Sequence, residues 1–455
     1  MSAEYASGRA ERLEMQTHQE FFKGKTVTLM GLGLLGRGVG DAAFLATHCK
    51  KVIVTDMKDA TALAASVQAL ASFSNIEFVL GGHTYDIFEN VDFVVKGAGV
   101  RLDNPYILHA EAHHVPIYMS TALFAKFAGI PIVGVTGTRG KTTVTCMVEA
   151  IATTAGQKVL LGGNIRGVST LAELPHAGQY DMAVLELDSW QLQGFDALGI
   201  SPHVAVFTSF YPDHMNYYDN DEARYLHDKT AIFRHQKAGD TLVMPDTLRP
   251  LMQADLQGHQ GTLQPAIPLP EGVKLGIPGA HNVANASLAY TVGHVLGVEE
   301  TTLRHALETF EAVEGRLQKC GEAHGRTFYN DSNATTQEAT LAALRAFPAD
   351  KLVLIFGGAD KGLPIDELVA YVGQNAIRAV LLQGTGSTRV LATLPNLPVA
   401  TSMQDAMARA VALSRPGDVV VLSPAFASFG MFTNEYDRSD QYLAAVKAYV
   451  TGPTP

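Results

Sequence analysis

At 455 residues the chain is too long for one hydrophobic core, and its length suggests about three domains. Lys plus Arg number 34 against 45 Asp plus Glu, a formal net charge of −11 with no basic run, which disfavours a nucleic-acid or anionic-membrane partner. Three dispersed cysteines argue against a disulfide framework and fit a reducing compartment, so a cytoplasmic protein is expected.

The first twenty residues, MSAEYASGRAERLEMQTHQE, mix both charge signs without an apolar centre and read neither as a signal peptide nor as an anchor. No later apolar run approaches the roughly 18 residues of a membrane span. Short apolar runs ending in Gly, Asp, Thr or Ser then recur: TVTLMG at 26, VIVTD at 52, FVVKG at 93, IVGVTG at 132, MAVLELD at 182, HVAVFTS at 203, VLIFGG at 353, AVLLQG at 379 and VVVLSP at 419. Most are continuous rather than alternating, as strands covered on both faces are, and helical segments separate them. The pattern predicts an α/β protein with parallel sheets. Its strands cluster into three domains: a Rossmann-like one over 1–128, a central P-loop ATPase domain over 129–315, and a Rossmann-like α/β domain over 316–455.

The first cluster contains GLGLLG after a strand, with Asp56 about twenty residues on, the arrangement of a dinucleotide site. Alone, this weak motif suggests a nicotinamide-dependent oxidoreductase or sensor. The second cluster opens on GIPIVGVTGTRGKTTVT. A strict Walker A loop needs glycine where Val135 stands, yet Gly140-Lys141-Thr142 is intact between a strand and the helical CMVEAIATTAG. Gly137 and Gly140 let the backbone turn its N–H groups toward an anion. Lys141 reaches the β- and γ-phosphates in such a loop, and the Thr142 hydroxyl ligates Mg²⁺. ATP binding is therefore expected; a ligand-free Gly-rich turn is the lesser alternative.

Farther on, in DEARYLHDKTAIFRH, Tyr225, Leu226, Ile232 and Phe233 fall on one helical stripe, and the period puts Lys229 inside it. Helical spacing favours a snorkelling lysine whose ammonium reaches water. The alternative is a buried amine with a lowered pKa, available for chemistry. Glu186 ends one strand and Asp213-His214 follows another, so both should meet the phosphate loop at the carboxyl ends of the sheet, where a carboxylate and a histidine suit a metal.

TGTRGKTT, the GGN ending at Asn164, Glu186, Asp213-His214, Lys229, the GAHNVANA run from Gly279 and NDSNAT from Asn330 together resemble the Mur ligases, over nearly the whole chain. In that family the phosphate loop lacks the first Walker glycine. GLGLLGRG, VVKGAGVRLDNP and LSPAFASFGMF are similar to the branch that joins D-glutamate to UDP-N-acetylmuramoyl-L-alanine through an acyl phosphate, in peptidoglycan precursor synthesis. The resemblance implies ATP and two Mg²⁺ as cofactors. Thr142 and Glu186 would serve one ion, and His214 with a carbamylated Lys229 the other. Gly137, Thr138, Gly140, Lys141, Thr142 and Thr143 would hold phosphates, Asn282 and Asn285 the adenine side, and Arg316 and Asp331 the phosphates or ribose. For the asparagines, helix capping is the plain alternative.

The resemblance further assigns Leu34, Leu35, Thr55 and Asp56 to uridine. Asn164, Asp188, Ser189 and Gln191 would line the substrate side, and Thr335, Lys361 and Ser428 would receive glutamate. A monomer with hinge motion between domains is implied. Several positions depart from the branch's pattern: Asp188 replaces a usual serine, Asn333 a usual lysine, Glu435 an aromatic residue, and Glu314-Gly315 before Arg316 the familiar Leu-x-His run. These bear on amino-acid recognition and leave an L-glutamate-adding enzyme as the alternative.

Overall fold

The computed structural model describes residues 17–34 and 36–452. Leu35, assigned above to uridine, and residues 1–16 of the stretch read for targeting lie outside the described residues. Among the described residues no helix is long and apolar enough to cross a membrane. The protein is α/β throughout, with three sheets in two compact units: Met1–Pro268 with Ser287–Leu303, and Leu269–Ala286 with Arg304–Pro455.

The first unit holds two sheets. One comprises β1 (Thr26–Met30), β2 (Lys51–Asp56), β3 (Ile76–Leu80), β4 (Phe93–Lys96) and β5 (Ile117–Tyr118), all parallel in the order β3-β2-β1-β4-β5. The other comprises β6 (Ile132–Thr136), β7 (Val159–Gly163), β8 (Met182–Glu186), β9 (Val204–Phe207), β10 (Thr241–Met244) and β11 (Thr262–Pro265), all parallel in the order β11-β10-β9-β6-β8-β7. β4, β6, β8 and β9 are buried along their whole length, the physical reason their sequences are continuously apolar.

In each sheet the first strand ends up flanked on both sides, so chain direction across the sheet reverses beside it. Such a switch point opens a crevice at the carboxyl ends. GLGLLG follows β1 and TGTRGK follows β6, which places both glycine-rich loops at these crevices.

The second unit holds β12 (Gln318–Ala323), β13 (Arg326–Asn330), β14 (Leu352–Gly357), β15 (Arg378–Leu382), β16 (Val399–Ala400) and β17 (Val419–Leu422), in the order β12-β13-β17-β14-β15-β16. The β12–β13 pair is antiparallel, a departure from the parallel sheets expected. Its turn residues His324 and Gly325 both adopt positive φ, 50° and 72°, as a two-residue hairpin turn with the sheet's twist requires. Gln318–Ala323 stands at the edge of the sheet with no fully buried residue, which explains why no continuous apolar run announced it. Apolar clusters cover both faces of this sheet, one built around Leu354 and Leu381, the other around Val353 and Val380.

Candidate active site

The phosphate loop is shaped by two glycines. Gly137 has φ 140°, and a Cβ there would sit 2.0 Å from Thr208 Oγ1; Gly140 has φ 88° and caps the helix Lys141–Thr154. Neighbouring strands hold the loop. Thr138 N–H donates to Ser209 O at 2.8 Å and Arg139 N–H to Ser209 Oγ at 2.9 Å, just beyond β9. Register explains the convergence: β6 pairs Val135 with Glu186 of β8 and Thr136 with Phe207 of β9. Thr138 and Thr143 are buried as parts of this scaffold, whereas Lys141 and Thr142 are partly exposed.

Lys229 does not snorkel. It is 1 % exposed on the helix Glu222–Arg234, between Tyr225 and Phe233, and its Nζ donates to Gly137 O at 2.9 Å. Lys141 Nζ donates to the same carbonyl at 3.1 Å, so the two nitrogens lie within about 6 Å of each other. Burial, and then the Lys141 charge, press the Lys229 amine well below its ordinary value, against the pull of Asp188 and Asp213. The helix turned the other way would expose the amine, but Thr230, Ala231, Ile232 and Phe233 are all buried and fix its rotation.

Glu186 is 3 % exposed; its Oε1 accepts from Asn164 Nδ2 at 3.5 Å, and its Oε2 is buried with no hydrogen-bond partner. A buried carboxylate oxygen left open costs free energy unless something cationic meets it. This donor chemistry fits a hard divalent cation such as Mg²⁺. His214 adopts φ 55°, with its ring 4.8 Å from Trp190; burial lowers its pKa, helped by the Lys141 charge against the pull of Asp213, so a neutral imidazole is available as a ligand. Asp213 instead pairs with Arg139 at 2.9 Å. Thus Lys141, Glu186, His214 and Lys229 gather at the ends of β6, β8 and β9.

Asp188 departs in sequence yet preserves a local duty. It caps the helix Ser189–Leu198 by accepting from Gln191 N at 2.7 Å, while Gln191 Oε1 accepts from Asp188 N at 3.2 Å, a reciprocal capping box. Serine caps equally well, so Asp188→Ser is expected to hold stability within a few tenths of a kcal/mol, and Asp188→Ala to lose about 1 kcal/mol in denaturant titration. Gln191 also donates to Thr121 Oγ1 at 3.0 Å, and Ser189 is buried beside it. Asn164, exposed, is reached by Arg37 Nη2 at 3.2 Å.

At the first sheet, Leu34 is 57 % exposed in the loop after β1. Asp56 accepts from Gly33 N at 3.0 Å and Lys58 N at 2.9 Å, so its carboxylate shapes the glycine loop. Thr55 is fully buried, its hydroxyl 2.7 Å from His83 Nδ1. Lys96, at the end of β4, escaped the sequence reading. It is 2 % exposed, donates to Val100 O at 3.0 Å, and is lowered to about 8 by burial against the charges of Asp188 and Asp228. Its signal was a lysine closing a fully apolar strand.

The remaining candidates belong to the second unit. Asn282 is buried and donates to Pro278 O at 2.7 Å, and Asn285 donates to Asn282 Oδ1 at 3.3 Å, so Asn282 braces the turn that enters the helix Ala280–Val295. Asp331 follows β13 and accepts from Leu317 N at 3.0 Å and Ser423 Oγ at 2.7 Å; Arg316 Nε is buried without a partner. Burial raises the Asp331 carboxyl to about 7, against those bonds and the Arg316 charge. Lys361 Nζ donates to Thr335 Oγ1 at 3.1 Å, and the Ala359–Ala427 bridge sets their loop beside buried Ser428. Asn333 donates to Glu314 O at 3.4 Å, and Glu435 begins the helix Glu435–Thr451. Arg438 on that helix was also missed. Fully buried, it donates to Phe426 O at 3.1 Å and Ser332 O at 2.8 Å, tying together the loops that carry Asn333 and Ser428.

Asp331 gives a pH prediction. Its folded-state value of about 7 exceeds the 3.8 of the free group, so its contribution to stability is complete below about pH 4 and lost as pH rises through about 7. Wild type minus Asp331→Asn, compared by urea midpoint from pH 5 to 8, should slope downward with pH; parallel curves would mean the carboxyl is ionised in the fold.

Comparison with known proteins identifies the family. Residues 135–264 match the Mur ligase middle domain and 315–426 the Mur ligase glutamate ligase domain. The chain is 35 % identical to a UDP-N-acetylmuramoylalanine--D-glutamate ligase of Roseiflexus sp., over 94 % of this chain and 99 % of the relative. It is 32 % identical to that of Streptococcus sanguinis, over 93 % and 97 %. Among solved structures, a UDP-N-acetylmuramate-alanine ligase from Thermotoga maritima superposes with a TM-score of 0.60 at 20 % identity, covering 93 % of this chain and 100 % of that one. MurF from Acinetobacter baumannii gives 0.58 at 15 %, covering 95 % and 92 %; both likenesses speak for the fold. With relatives this similar along almost its entire length, and both ligase domains matched, the chain belongs to the Mur ligase family.

Proposed function

We propose that the chain is an ATP-dependent, ADP-forming ligase that joins D-glutamate to UDP-N-acetylmuramoyl-L-alanine in peptidoglycan precursor synthesis. It would act as a cytoplasmic monomer whose product supports cell shape and division. The observation that carries the reading is the buried Lys229 amine sharing the Gly137 carbonyl with Lys141, on a sheet where Glu186, paired in register with Val135, keeps a buried carboxylate oxygen open. The relatives' names favour D-glutamate over L-glutamate and give no support to an oxidoreductase.

The substrate carboxylate resists amines because it is anionic and has a poor leaving group. Attack on the γ-phosphorus forms a C–O–P link and releases ADP; the glutamate amine then adds to the acyl carbon and gives up one N–H proton, and phosphate departs with the electron pair of the C–O bond, taking up a proton as hydrogen phosphate. Lys141 and the N–H groups after Gly137 offset charge on the transferring phosphoryl group. Two Mg²⁺, when bound, supply further charge neutralisation there. Thr142 and Glu186 would hold one. His214 and Lys229 as a carbamate would hold the other. The neutral Lys229 amine can attack CO₂, forming a C–N bond and releasing one proton.

In this reading the first sheet receives UDP through Leu34, Leu35, Thr55 and Asp56, while Asn164, Asp188, Ser189 and Gln191 face the muramoyl end. Arg316, Asp331, Asn282 and Asn285 serve the nucleotide, and Thr335, Lys361 and Ser428 the glutamate. The domains follow 1–128, 129–315 and 316–455. The test is ADP release with UDP-N-acetylmuramoyl-L-alanine, ATP, Mg²⁺ and each glutamate enantiomer in turn. Turnover with D-glutamate alone is expected, and inactivity with both would end the proposal.

A further inference from the structure

We infer that Glu89, His109 and His113 form a binding site for one divalent transition-metal cation of the Zn²⁺ class, separate from the phosphate loop. His109 and His113 stand four residues apart at the end of the helix Pro105–Ala112, where that spacing puts both rings on one face. Glu89 follows the short helical turn Tyr85–Phe88, packed against that helix. Glu89 Oε2 lies 3.0 Å from His109 Nε2 and 3.3 Å from His113 Nε2, and the three atoms fall within 4.8 Å of one another. Tetrahedral ligands at about 2.0 to 2.1 Å from zinc stand roughly 3.3 Å apart along an edge. The two edges on Glu89 Oε2, 3.0 and 3.3 Å, are within a few tenths of an ångström of that length.

Tautomers carry the argument further. His113 Nδ1 is 2.9 Å from the His109 carbonyl, a contact that requires N–H at Nδ1. In the neutral ring, Nε2 is then a bare lone pair aimed at a carboxylate oxygen, acceptor against acceptor, which only a proton or a metal between them relieves. The His109 ring centroid lies 4.2 Å from that of His113, tilted by 39°, so two imidazolium charges would repel, whereas one cation serves both Nε2 atoms once His109 carries its proton at Nδ1. An outer hydrogen bond to a backbone carbonyl is also how metal-ligating histidines are oriented. The carbonyl end of the helix adds negative potential. Asn90 Nδ2 donates to the other oxygen, Glu89 Oε1, at 3.4 Å, which helps aim Oε2 inward. Nitrogen donors select Zn²⁺, Co²⁺ or Ni²⁺ over Mg²⁺. With three protein ligands the fourth tetrahedral position would be left to water, which can reach it because the His113 side chain is 45 % exposed.

The occupied site would tie Glu89 to the helix end through aromatic neighbours: Tyr85 packs on His109 at 4.7 Å and on Tyr106 at 4.8 Å, and Tyr106 meets His83 at 5.1 Å. The test titrates the full-length protein with Zn²⁺ by calorimetry, and with Co²⁺ by visible absorption, in a large excess of Mg²⁺. One equivalent should bind, at least tenfold more weakly in His113→Gln and in Glu89→Gln, and undiminished in His214→Ala. Ligation by the two zinc-site variants in zinc-free Mg²⁺ buffer should equal wild type, which separates this site from the reaction. The wild-type Co²⁺ spectrum, with the intense bands of low coordination, gives a reading that needs no variant. Unaltered Zn²⁺ binding in His113→Gln, or no uptake at 100-fold excess over protein, would overturn the site.

Discussion

Replacing Lys229 by alanine should lower ligation on the order of a thousandfold while leaving nucleotide binding within a few fold, with activity returning in part when short carboxylic acids such as acetate are added. Lys229 is buried and donates to the phosphate loop, so a stem that merely filled space would be replaced in part by methionine. A carbamate, by contrast, offers two oxygens that alanine and methionine both lack. Added carboxylate can enter the space the truncated side chain leaves and restore those oxygens; it has nothing to restore if the lysine acts only by packing. Steady-state rates for Lys229→Ala and Lys229→Met, with and without acetate, decide the matter. Equal failure of rescue in both, with ATP still bound, would remove the carbamate and leave the lysine as a brace of Gly137.

The strands around the site were legible because burial on both faces demands continuous apolar runs: Ile132–Thr136, Met182–Glu186 and Val204–Phe207 announce themselves, and the candidate residues stand at or just after their ends. Edge elements were not. Gln318–Ala323 has no fully buried residue, and Thr262–Pro265 is half-buried only in its middle, so neither carries the signal of an inner strand. Lys229 shows the limit from the other side. Helical period put it on the apolar stripe but could not say whether its ammonium escapes, because that depends on Tyr225 and on Gly137, 92 residues away in sequence.

Side-chain partners acting across long separations were likewise invisible: Arg438 holding Ser332, 106 residues distant, and Ser423 donating to Asp331, 92 residues distant. Asp188 was legible as a departure and opaque as to cause. Its cap to Gln191 is local, yet serine and aspartate satisfy that cap alike, so the sequence difference has its consequence in charge beside Lys96 and Lys229.

Lys141→Met should lower turnover by a factor on the order of a thousand, without carboxylate rescue, because in the proposed reading the lost group is a cation facing the transferred phosphoryl and not an oxygen donor. It should also act on Lys229. Both amines donate to Gly137 O, and the Lys141 charge is the second cause, after burial, that holds the Lys229 amine well below its usual value. Removing that charge raises the Lys229 pKa, so at a fixed pH near neutrality fewer amines are uncharged and fewer can take up CO₂. Under ¹³C-bicarbonate, the carbamate resonance of Lys141→Met should therefore be weaker than that of wild type at pH 7 and recover as pH is raised. The sign is diagnostic: a base depressed in the fold is neutral above its folded-state value, and losing a neighbouring positive charge can only move that value upward. A carbamate signal of equal height in both proteins across the pH range would separate the two lysines, and with them the idea that the phosphate loop prepares its own metal ligand.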